Sequence, residues 1–144
     1  MIIRTAISEL EPPGMSAHFV GEVINGIAKG CRYLYPRWRL PPLYDSGVEF
    51  RLPQSHGGGS EYFALPPVVY AQRSGDCDQL VIWRLIELQA LGEPSAHCKA
   101  DWMGQAVHVR IRRADGRVED PSRVLLAKKG IVVPEFDFKE YRPK

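Results

Sequence analysis

The chain of 144 residues reads as an α+β fold in which a central helix, with a cysteine at its N-terminus, packs on an antiparallel sheet. Two patterns predict it. From Leu80 to Leu91 the residues Leu80, Val81, Ile82, Trp83, Leu85, Ile86, Leu88 and Leu91 leave only Arg84, Glu87 and Gln89 as a thin polar stripe. A helix that is apolar on most sides is surrounded by the rest of the fold. Further on, Val107, Val109 and Ile111 alternate with His108, Arg110 and Arg112, and the turn Ala114-Asp115-Gly116 sends the chain back through Val118-Glu119-Asp120-Pro121. Alternation followed by a glycine-bearing turn is the pattern of a hairpin.

Length and composition set the frame. A chain of this size is one domain, 1–144, able to bury a core of its own. At 44% hydrophobic and 25% charged residues it lies away from disordered and membrane compositions. A formal charge of +2 gives no general attraction to nucleic acid or lipid, so neither is expected as a partner. No apolar run is long enough for a bilayer, and Met1 is not followed by a basic-then-apolar leader. Cys31, Cys77 and Cys98 are widely spaced and form no C-x-x-C pair, which predicts a reducing, cytoplasmic setting without a disulfide framework.

In chain order, Met1 to Ser8 is read as a short strand that Pro12-Pro13-Gly14 breaks. Ser16 is the expected N-cap of a helix from Ala17 to about Leu34, whose Phe19, Val20, Val23, Ile24, Ile27 and Cys31 share one face. Cys31 is then a core residue. Pro36 to Pro42 is read as an irregular connection and Val48 to Leu52 as a half-buried strand. Ser55 to Ser60, with three glycines, reads as a mobile loop; no Lys-Ser/Thr follows to make it a phosphate cradle. Val68-Val69-Tyr70 leads into the cysteine turn. Gly92 supplies the residue past the core helix and Pro94 blocks its continuation. Ala96 to Lys99 is a candidate strand, Asp101 to Gly104 a turn, Ser122 to Lys129 a short helix or loop, Ile131 to Val133 a last strand and Glu135 to Lys144 a surface tail.

The cysteine turn carries the chemistry. In Arg73-Ser74-Gly75-Asp76-Cys77-Asp78 a glycine turn delivers Cys77 to the first turn of the core helix, where unpaired N–H groups and the macrodipole favour the thiolate. Asp76, as N-cap, and Asp78 oppose a further negative charge, so Cys77 needs a basic partner. Thiol catalysis needs an imidazole to take and return the proton and a carboxylate to orient the imidazole. His108 on the alternating strand and Asp120 on its return strand supply both types in order.

The segments Gly75-Asp76-Cys77-Asp78, Leu91-Gly92-Glu93-Pro94, Val107-His108-Val109 and Glu119-Asp120-Pro121-Ser122 resemble the transglutaminase-like branch of the papain-like cysteine enzymes over roughly residues 68–125. In that family the pattern is G-D-C-x-D/E, then a histidine opening a strand, then D-P-S/T on the neighbouring strand. The resemblance implies Cys77 as nucleophile, His108 as base and Asp120 as orienting acid, in a hydrolase or acyltransferase acting on a peptide, isopeptide or carboxamide bond. Gln79 stands where a second carboxylate often follows in the family. Short forms of this domain are similar to proteins encoded among the structural genes of tailed phages, so the resemblance also implies a virion setting, with virion proteins as partners, as an alternative to a purely cytoplasmic one. A protein or peptide substrate is implied, and no cofactor or metal.

Other readings stand beside these. The same fold could serve as a non-catalytic structural or adaptor subunit, with Asp120 a turn-former before Pro121. Gln72, five residues before Cys77, is an oxyanion candidate and equally an ordinary surface residue. His97-Cys98 lacks the paired spacing of a zinc site. The basic residues from Arg110 to Lys129 read as a solvated sheet face. Two hairpin registers compete. A three-residue loop with Gly116 left-handed sets Arg113 opposite Arg117 and Arg110 opposite Asp120, on the face of His108; a two-residue loop turns Asp120 away. The apolar pattern, through Val118, favours the second; the chemistry favours the first, which is the one expected.

Overall fold

The computed structural model describes residues 2–6, 13–51, 60–102 and 107–132. Its centre is the helix α4 (Cys77–Ala90), preceded by α1 (Pro13–Cys31), the single turn α2 (Tyr35–Trp38) and α3 (Pro66–Gln72), and followed by α5 (Pro121–Lys128). The strands are β1 (Ile2–Ala6), β2 (Glu49–Phe50), β3 (Ser60–Ala64), β4 (Ser74–Gly75), β5 (His97–Trp102), β6 (Val107–Arg112) and β7 (Val118–Glu119). They form an antiparallel sheet β5-β6-β7, an antiparallel pair β1-β3 and a two-residue parallel pair β2-β4. The protein is mixed α+β, with helices around an antiparallel sheet.

The apolar stretch of α4 is used on two sides. Val81, Ile82, Leu85 and Ile86 join Val20, Ile24 and Ala28 of α1 and Cys98, Val109 and Ile111 of the sheet in one cluster. Leu80 and Trp83 join Leu43, Val48, Ala64, Val69 and Leu125 in a second. A helix built into two cores has little freedom to shift, because each side would open a void; truncating one such leucine costs about 2–5 kcal/mol. Its N-terminus is closed by a capping box. Asp76 Oδ1 accepts from the Gln79 N–H at 3.0 Å, and Gln79 Oε1 accepts from the Asp76 N–H at 3.3 Å. Gln79, the departure from the family pattern, is therefore half of the cap.

The thin polar stripe on α4 is only partly open to water, with Arg84 and Gln89 half-buried. Glu87 is 1% exposed, and its Oε1 accepts from the Leu43 N–H at 2.8 Å. The face of β6 read as solvated is covered too: His108 and Arg110 are 8% and 7% exposed. Buried polar side chains on an inner strand must find partners, and these do, as described below.

Several boundaries differ from those expected. Helix α1 starts at Pro13 rather than after Ser16 and ends at Cys31, where a 3-10 turn takes over for Arg32–Leu34. Proline in a first turn interrupts nothing, since no intrahelical acceptor awaits its missing N–H. The same holds for Pro66-Pro67, which open α3 where a plain lead-in was expected, and for Pro36 in α2, inside the supposed irregular connection. Val48 is buried, yet among the described residues of the expected strand, which leave out Leu52, only Glu49–Phe50 are paired. Strand β5 continues through Asp101 and Trp102, beyond the expected end, and Ile131 and Val132 are exposed and unpaired in any sheet. Ser60 opens β3; the rest of the glycine-rich loop, residues 103–106 of the expected turn and the tail from 133 onward lie outside the described residues. Among the described residues no helix is long and apolar enough to cross a membrane.

Candidate active site

The site is built from the start of α4 and the hairpin β6-β7. Chain direction is set at Arg73, which caps α3 in the left-handed region (φ 62°, ψ 15°) with its N–H on Val69 and Tyr70 carbonyls. The chain then runs extended through β4, where Gly75 is enclosed. A Cβ there would stand 3.1 Å from Val69 Cγ1 and 3.3 Å from both Gln79 Oε1 and Leu80 Cδ2. Gly75→Ala should therefore cost about 1–3 kcal/mol by overpacking and disturb the capping glutamine, as urea unfolding would read. Unchanged stability would show the turn to be looser than described.

Cys77 is the first residue of α4 and half-buried. Its Sγ lies 3.7 Å from Asp78 Oδ1, a weak thiol-to-carboxylate hydrogen bond. Asp78 is itself buried. A buried carboxylate at this range opposes a second negative charge on sulfur, against the pull of the helix N-terminus.

The hairpin adopts the three-residue register. Arg113 N–H donates to the Arg117 carbonyl at 2.8 Å, Ile111 pairs with Glu119, and Gly116 sits at φ 90°. That register sets Asp120 diagonal to His108, and His108 Nε2 lies 2.8 Å from Asp120 Oδ2, with both side chains buried. A carboxylate only accepts, so Nε2 carries the ring proton in the neutral imidazole and Nδ1 the lone pair. Asp120 uses its other oxygen elsewhere. Oδ1 accepts from the N–H groups of Ser122 (3.1 Å) and Arg123 (3.4 Å), capping α5. The turn-former and the orienting acid are thus one side chain with two oxygens.

The first turn of α4 and this part of the sheet share a neighbourhood. Burial raises the Cys98 thiol on β5 well above its ordinary value, and the carboxylates of Asp78 and Asp101 raise it further. Asp101 pairs across the strands with His108, and its Oδ2 accepts from Arg110 Nη2 at 3.2 Å. Cys77 itself packs against the cluster that holds Val109, as do Ala100 and Val107. Burial also raises the Cys31 thiol above its ordinary value.

A second set of residues was not anticipated. Glu119 accepts from Arg84 Nε at 2.7 Å and Tyr44 Oη at 2.6 Å on Oε2, and from Arg113 Nη1 at 2.7 Å on Oε1. Arg84 also donates to Glu87 at 3.0 Å and lies over the Tyr44 ring, while Arg113 donates to Glu93 at 2.6 and 2.8 Å. The network ties α4 and the α4-β5 connection to β7, and so fixes the residue next to Asp120. One signal was legible beforehand: a carboxylate at Glu87 inside an apolar helix, three residues after Arg84, asks for a buried partner.

Gln72, the oxyanion candidate, is exposed at the end of α3. It lines a groove of about 540 Å³ together with Glu49, Phe50, Arg51, Arg73 and Ser74. The structure therefore brings His108 and Asp120 into direct contact and sets Cys77 on a fixed helix tip, with Gln72 on the groove wall. Among the described residues no group of three or more His, Cys, Asp and Glu side chains gathers as metal ligands. No protein-family model, curated protein or solved structure matches this chain.

Proposed function

We propose that the protein is a cysteine-dependent hydrolase or acyltransferase acting on a peptide, isopeptide or carboxamide bond, with Cys77 as nucleophile, His108 as base and Asp120 as orienting acid. The observation that carries this reading is the buried His108–Asp120 hydrogen bond, 2.8 Å long, because a carboxylate acceptor at Nε2 draws the ring proton of a neutral imidazole to that nitrogen. It leaves Nδ1 as the nitrogen that takes the thiol proton. Because Asp78 and the capping Asp76 oppose a thiolate, the imidazole rather than the helix dipole is the main activator.

In the reaction Sγ attacks the carbonyl carbon, the C=O electron pair moves onto oxygen, and the N–H groups at the tip of α4 stabilise that charge. His108 returns the proton to the leaving nitrogen as the C–N bond breaks, giving a thioester and a free amine. Water or a second amine, deprotonated by His108, then attacks the thioester and releases an acid or a new amide, and the thiol is restored. The resemblance of the segments around Cys77, His108 and Asp120 to those of transglutaminase-like enzymes adds to the reading, and a protein or peptide is the substrate class it favours.

Thiol chemistry tests it directly. Iodoacetamide at neutral pH should alkylate Cys77 at least about tenfold faster than Cys31 or Cys98, and His108→Ala should remove most of that advantage with the fold intact. Peptide mapping of the alkylated protein reads all three rates. Equal rates at Cys77 and Cys31 would favour the structural or adaptor subunit instead.

A further inference from the structure

We infer that the groove beside the cysteine turn is a subsite for a carboxylate of the substrate, an inference that rests on the hydrolase or acyltransferase reading and adds its substrate class. The groove is walled by β2 and β4, and Ser74 and Gly75 of β4 run directly into Asp76 and Cys77. Extended chain advances by about 3.4 Å per residue, so the wall lies within a few peptide units of the nucleophile.

Its charge is positive and unspent. Arg84, Arg110, Arg113 and Arg117 each meet a carboxylate. Among the described residues no carboxylate pairs with Arg51 or Arg73, the two cations of the groove. Among the described residues of the wall the one acid is Glu49, and it is held by Lys129 Nζ at 2.7 Å. Arg73 is fixed twice, by its left-handed cap at φ 62° and by stacking of its guanidinium 4.3 Å over the Tyr70 ring. Glycine or asparagine would hold that backbone with less strain. A stacked guanidinium keeps its in-plane N–H donors at the edge, where a planar carboxylate takes two of them. The Gln72 amide and Ser74 hydroxyl on the same wall supply neutral donors.

Two measurements test the subsite. In the first, the folded protein is titrated with N-acetyl-glutamate α-amide, N-acetyl-glutamine and N-acetyl-glutaminamide while the backbone amides of Phe50, Arg51, Arg73 and Ser74 are followed by NMR. The first probe carries a side-chain carboxylate, the second a terminal one, and the third none. Saturable shifts with one or both acids, absent with the neutral probe and lost in Arg51→Gln/Arg73→Asn, are expected, and the better acid identifies the source. Equal shifts with all three probes, or none with any, would overturn the subsite. In the second, Cys77 is alkylated with iodoacetate and with iodoacetamide. The ratio of the two rates should drop by about threefold to tenfold in the double variant, and likewise in high salt. A ratio indifferent to both would also overturn it. A chain that binds the acids while Cys77 shows no advantage over Cys31 would separate the two ideas: the anion site would stand and the cysteine reading would not.

Discussion

Replacement of Glu119 by alanine should destabilise the fold by about 3 kcal/mol at neutral pH, the largest loss expected from any single charged side chain here. Three donors converge on this carboxylate, from Arg84, Tyr44 and Arg113. All are largely enclosed, so water cannot replace the lost acceptor at full strength. Arg84 keeps Glu87 and Arg113 keeps Glu93, so the remaining network should hold and the variant should still fold. The effect should also depend on pH in one direction. Burial raises the Glu119 pKa, but the hydrogen bonds from Arg84 and Tyr44, the charge of Arg84 and the bond from Arg113 outweigh it and hold the carboxyl below its ordinary 4.5. The unfolded chain therefore takes up the proton first as pH falls. The stabilisation is complete above the ordinary value and is lost as pH drops through the folded one. Urea unfolding of the wild type and Glu119→Ala should show a wide gap at pH 7 that narrows below pH 4.5. A gap that is constant with pH would mean that Glu119 acts through packing rather than charge.

Much of this architecture was legible in the residues. The nearly apolar run from Leu80 to Leu88 announced a helix used on more than one side, and it enters both core clusters. Asp76 was legible as N-cap because its short carboxylate follows the glycine turn and can accept from the N–H groups of a first helical turn. The hairpin was harder. Val118 argued for the two-residue loop, but β7 is only two residues long, too short for one apolar side chain to set register. The left-handed Gly116 and the Arg113–Arg117 pairing set it, and Val118 is left opposite Arg112 and half-buried. Helix α3 was hidden because Pro66-Pro67 look like a break in sequence, although proline fits a first helical turn. The pair β2-β4 was hidden because two residues cannot display an alternation. The covering of His108 and Arg110 was not legible either. Alternation on β6 marks one apolar face, but it cannot say that the polar side chains of the other face will be buried against Asp101 of β5 and Asp120 at the end of β7.

In the proposed triad the reactivity of Cys77 turns on the orientation of one imidazole, and Asp120→Asn isolates it. Asparagine keeps the shape of the side chain but can satisfy only one of its two present duties. If its oxygen stays on the Ser122 and Arg123 N–H groups, its NH₂ points at His108 Nε2; that nitrogen must then accept, and the ring proton moves to Nδ1. If the amide flips instead, α5 loses its cap at a cost of about 1 kcal/mol. Either way stability changes little, whereas the first and less costly arrangement leaves Nδ1 unable to take the thiol proton. The decisive measurement is the rate of Cys77 alkylation by iodoacetamide across pH in wild type and Asp120→Asn, with melting temperature followed in parallel. The triad predicts a fall of about tenfold or more at neutral pH and a displaced pH profile at nearly unchanged melting temperature. An unaltered rate and profile in a folded Asp120→Asn protein would contradict it, and would leave Asp120 as the cap of α5 alone.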